Sequence, residues 1–182
     1  MNISDYINSY IEWLTKEVSL YPVDKKIKFG IWCIWPIVNE KDVAVFLDKV
    51  NGDATLDNIR SNLELIWNDN YNNDSIAHLI DFIDKIDWNN DLVDNNDQNA
   101  AQGVLDLLNG VSCLTHGYLN NSNEYIANCA ELAINRVDYL IGFEKIKSVA
   151  MDKEIDVQKE AVRLFSKCDV LPSLQNRKRW LE

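Results

Sequence analysis

The sequence predicts an all-α protein, a single-domain bundle of about eight helices, on three observations. Apolar residues recur at three- and four-residue spacings, and no segment alternates polar with apolar residues as a half-buried strand does. Only three prolines and six glycines interrupt the 182 residues. At that length the chain is near the size of one domain and buries about two-thirds of its unfolded surface. Residues 1–182 are therefore read as one helical domain.

Punctuation and patterning place the elements in order. Helices are expected at about 3–20, 25–35, 40–50, 56–70, 75–86, 98–119, 123–143 and 153–169, with a short one from about 172. Pro22 separates the first two. The apolar stretch Phe29 to Val38 in the second is about half of what a bilayer span needs and contains Pro36, so it reads as core. Asn39 before Glu40 and Asp42 offers a cap to the third helix, and Gly52-Asp53 ends it. Thr55, Ser75 and Asp152 offer the same service to later starts. In the fifth helix Ile76, Leu79, Ile80, Ile83 and Ile86 form one stripe, with Asp81, Asp84 and Lys85 on the other side. From Tyr125 to Ile141 the apolar positions are densest and include Ala130 and Ala133, small enough for close helix approach, which marks the central helix.

Cys33, Cys113, Cys129 and Cys168 lie far apart in apolar helical surroundings with no Cys-x-x-Cys pair, so they read as reduced core residues. The N-terminal Met-Asn-Ile-Ser-Asp-Tyr lacks the basic and apolar regions of a signal peptide, which implies a cytoplasmic protein.

Charge is distributed unevenly. Between Ser61 and Asn135 twelve acids face one base, Lys85, a net of −11 that equals the charge of the whole chain. The acids are Glu64, Asp69, Asp74, Asp81, Asp84, Asp87, Asp91, Asp94, Asp97, Asp106, Glu124 and Glu131. Such a field attracts a basic partner and repels nucleic acid, whose phosphates need a Lys/Arg patch. An acidic surface that serves solubility alone is the plain alternative. The candidate partner-binding residues are Asp69, Asp74, Asp81, Asp84, Asp87, Trp88, Asp91, Asp94 and Asp97, with Arg177-Lys178-Arg179 next in line.

Constellations that carry chemistry are scarce. The segment Asp87 to Gln98 puts oxygens at the first, third and fifth positions of a calcium loop, but has Leu92 where glycine makes the turn and Gln98 where a bidentate glutamate is needed. His78 and His116 fit no zinc frame, and Gly-rich phosphate loops are absent from the sequence. Cys113 and His116 could share a helix face as a thiolate–imidazole pair, although a core cysteine beside a histidine is the simpler reading. The chain is accordingly expected to lack catalytic residues, metal and cofactor, and to have no nucleic-acid or membrane partner.

Four segments bear on kinship: Asn62-Leu-Glu-Leu-Ile-Trp67, Ala100-Ala-Gln-Gly-Val-Leu-Asp-Leu-Leu-Asn109, the alanine-containing helix Ala127 to Leu140, and Glu154-Ile-Asp-Val-Gln-Lys-Glu160. In spacing and helix order over about residues 30 to 170, the chain resembles the YjaG-like family of all-helical bacterial proteins. It is also similar in layout to the immunity proteins of contact-dependent growth inhibition and other polymorphic toxin systems. The first helix, with Trp13, does not match. The resemblance implies a cytoplasmic partner-binding protein, and with the local acidity an inhibitor of a basic toxin domain such as a nuclease. A housekeeping helical protein or regulatory subunit of the YjaG-like kind is the alternative.

Overall fold

The computed structural model describes residues 3–52, 54–86, 97–167 and 172–177. Among them are eight α-helices and no strand: α1 (Ile3–Ser19), α2 (Val23–Val38), α3 (Lys41–Asn51), α4 (Thr55–Trp67), α5 (Asn73–Ile83), α6 (Gln98–Leu119), α7 (Asn123–Gly142) and α8 (Val149–Lys167). A 3-10 turn, Leu174–Asn176, follows.

The central helix is α7, as its density of apolar positions predicts; it packs against α1, α2, α6 and α8. Its buried small residues Ala127, Ala130 and Ala133 let neighbours approach. Beside it, α2 is buried along most of its length, from Lys26 to Val38, and crosses α6 where both helices lack a side chain. A methyl group on Gly30 would lie 2.6 Å from the Leu114 side chain, and one on Gly110 would lie 2.9 Å from Ile34. More peripheral helices bury a single stripe, such as Tyr10, Leu14 and Val18 of α1.

Pro36 lies inside α2 without breaking it. Proline cannot donate to the carbonyl four residues earlier, which leaves that of Trp32 short of its helical partner. The Arg177 Nε–H, arriving from the far end of the chain, donates to it at 3.3 Å.

Helix order and extents follow the sequence expectation closely, but several starts differ. Asn39 closes α2 rather than opening α3, its Nδ2 donating to the Trp35 carbonyl at 2.8 Å; Glu40 occupies the cap position of α3. Thr55 is inside the first turn of α4, its hydroxyl donating to the Gly52 carbonyl, while Asp48 accepts from the Leu56 N–H at 3.1 Å. The cap of α5 is Asn72, with Ser75 as the reciprocal partner of a capping box. Asp152 lies within α8, which starts three residues earlier at Val149. Helix α5 ends at Ile83, short of the expected 86; Ile76 and Leu79 are buried, Ile80 and Ile83 half-buried against the core, and Ile86 half-buried beyond the helix end. Among the described residues no helix is long and apolar enough to cross a membrane.

Candidate functional site

The acidic segment begins at a tightly held loop. Asp69 has a left-handed backbone, φ 60°, and its carboxylate accepts from Lys28 Nζ at 2.7 Å. Tyr71 donates from its hydroxyl to Asp24 of α2 at 2.9 Å and meets the Tyr118 ring edge-on, with centroids 5.6 Å apart. Tyr118 in turn donates to Asn73 at 3.3 Å. Burial, with the Asp24 carboxylate beside it, pushes the Tyr71 hydroxyl above its ordinary pKa. The loop and the start of α5 are thus fastened to α2 and α6.

The outer face of α5 carries Asp74 and Asp81 two turns apart, about 10 Å along the axis, with Asp84 at its C-cap. All three are exposed and make no ion pair among the described residues. Ala77 and His78 are exposed between them, and Lys85 follows. Asp97 is exposed but has a task of its own: as N-cap of α6 it accepts from the Asn99 and Ala100 N–H groups at 3.0 and 3.2 Å. There a carboxylate also meets the positive end of the helix dipole. Asp87, Trp88, Asp91 and Asp94 lie outside the described residues. Of the remaining acids in the window, Glu64 and Glu124 are exposed and Glu131 is half-buried. The structure therefore brings Asp74, Asp81 and Asp84 onto one helix as unpaired charges. Asp69 is neutralised by Lys28.

Sequence reasoning missed that Asp106 is interior, 3% exposed, although its place among Val104, Leu107 and Leu108 was a signal. It neighbours the fully buried Arg136, whose fork donates to both oxygens of Glu40, Nε at 3.0 Å and Nη2 at 2.6 Å. Arg136 Nη1 also donates to the Asn99 carbonyl at 3.0 Å. This planar bidentate match is one lysine cannot make. Gly103 keeps the space open: a methyl group there would lie 2.4 Å from Val43 and 2.9 Å from Arg136 Nη2. Burial pushes the Asp106 carboxyl up to about 6, Glu40 adding to the rise while the Gln102 hydrogen bond and Arg136 oppose it.

A second buried cluster closes the other side of the core. Arg177 Nη2 donates to Glu154, which also accepts from Gln158 Nε2 at 2.7 Å; Gln158 accepts from the Tyr10 hydroxyl at 2.9 Å. The guanidinium lies 4.2 Å from the centre of the Trp32 ring. Arg177, an expected basic contact residue, is thus buried in the fold, while Lys178 and Arg179 lie outside the described residues.

Cys33 and Cys129 are buried, as expected of core cysteines, and Cys168 lies outside the described residues. Burial raises the half-buried Cys113 thiol above its ordinary pKa, against an Asn128 hydrogen bond that lowers it, which opposes a ready thiolate. His116 is exposed, its ring 5.9 Å from that of Tyr125. Among the described residues no three His, Cys, Asp or Glu side chains are grouped to hold a metal ion. No family model, curated protein or solved structure matches the chain.

Proposed function

We propose that the chain is an immunity-type inhibitor that binds a basic protein toxin domain through its acidic surface, with Asp74, Asp81 and Asp84 of α5 at the centre of the contact. The observation that carries the reading is the segregation of charge: the whole net charge of −11 arises between Ser61 and Asn135. Three of those acids are exposed on α5 and its C-cap and, among the described residues, close no ion pair, although Lys85 follows Asp84. Unpaired like charges on one face repel each other, and a cationic partner relieves that repulsion while being steered toward it. The chain acts by covering, so its residues are assigned no chemical step. The fastening of α5 through Tyr71 and Tyr118 supports the reading, since a pre-positioned surface loses less freedom on binding.

The proposal requires a toxin gene just upstream, and that supplies the test. Co-expressing the variable C-terminal domain of that toxin with this chain should restore growth, and the two should co-purify at low salt. A neighbourhood without a toxin gene, or toxicity undiminished by co-expression, contradicts the proposal.

A further inference from the structure

Glu40, Arg136 and Asp106 are all buried, and the charges of Arg136 and Glu40 both bear on the Asp106 carboxyl. Glu40 accepts from Arg136 through both of its oxygens. Asp106 accepts a single hydrogen bond, from Gln102 Nε2 to Oδ1 at 2.9 Å, and its Oδ2 has no partner. Two turns earlier on α6, Asn99 is 3% exposed and both polar atoms of its amide side chain also lack partners. An ionised Asp106 gives this interior a net charge of −1. A protonated one makes it neutral and turns a carboxylate oxygen into a donor.

We propose that Asp106 is a proton-operated device at the junction of α3, α6 and α7, which closes tightly when Asp106 is protonated and loosens when it ionises. The charged groups that bear on it are Arg136 from α7 and Glu40 from the N-cap of α3. Helices α2 and α5 also pack on α6, but among the described residues none of their charged groups bears on Asp106. The junction has little slack, because Val43 of α3 and Arg136 of α7 both press on Gly103, one turn from Asp106. Burial displaces the Asp106 carboxyl from the ordinary 3.8 to about 6, which places the transition within reach of mild acidification.

The sign follows from proton binding. Between about pH 4 and about pH 6 the folded chain holds a proton that the unfolded chain has lost, so this contribution to stability falls as pH rises through that window. Two measurements test it. Urea unfolding of wild type and Asp106→Asn across this range should show the wild-type folding constant falling, relative to the variant, by up to about tenfold per pH unit. The ratio should then level off above about pH 6. Carboxyl carbon NMR of the wild type should place the Asp106 midpoint near 6, with the protection factors of the α6 amides, corrected for base-catalysed exchange, falling above it. Parallel stability curves at every pH overturn the proposal, as does a midpoint at the ordinary carboxyl value. If Asp106→Asn does not fold, the wild-type titration decides alone.

Discussion

Glu40 and Glu154 on one side, and Asp74, Asp81 and Asp84 on the other, are the same chemical group in opposite surroundings. The two glutamates are buried, each closed on an arginine from a distant part of the chain. The three aspartates are exposed on α5 and its C-cap and form no ion pair among the described residues. An unpaired carboxylate in the interior costs several kcal/mol, so those positions depend on their partners. At the surface, water does the solvating and the fold needs no partner there. Net charge marks the segment but not which of its acids are free to meet a partner: Asp69 and Asp97, counted with the surface acids by sequence, are held by Lys28 and by the α6 amides. Asp106 is inside altogether.

The difference can be broken most severely at Arg136. Replacing it with methionine leaves Glu40 buried and unpaired, and urea unfolding should show a loss of about 3–5 kcal/mol. The double variant Glu40→Leu/Arg136→Met removes both charges and should recover most of that loss; a double variant as unstable as the single one shows that packing, not pairing, sets the stability. Gly103→Ala pushes a methyl group against Val43 and Arg136. It should cost about 1–3 kcal/mol in the same assay. Asn72→Ala removes the Ser75 N–H acceptor at the start of α5. The expected loss is about 1 kcal/mol in the urea midpoint analysis. Smallest is the triple reversal Asp74→Lys/Asp81→Lys/Asp84→Lys, with stability within about 0.5 kcal/mol of wild type.

Helix order and the central position of α7 were legible in the sequence, because apolar spacing is a local signal carried by stripes such as Ile76-Leu79 and the dense run from Ile126 to Leu140. Caps were read less well: Asn39, Thr55, Ser75 and Asp152 all have the right side chain, and neighbouring residues decide which end of which helix it serves. Long-range pairs were not legible. Nothing near Glu40 indicates that Arg136 will meet it, and the repair of the Pro36 gap by Arg177 joins residues 145 positions apart in the pair Trp32–Arg177. Exposure of the α5 acids followed from helical periodicity, whereas the pairing of Asp69 with Lys28 depends on tertiary folding.

The division of labour between the two sets of carboxylates is tested most directly by stopped-flow association with the cognate basic toxin domain. Wild type and the Asp74→Lys/Asp81→Lys/Asp84→Lys variant would be compared from low salt to about 1 M, where the screening length is about 3 Å. If the α5 acids serve recognition, the variant associates tenfold or more slowly at low salt, and the two rates converge as salt rises. Equal rates at low salt, with unchanged protection of growth, would mean that the exposed acids of α5 only solvate the surface.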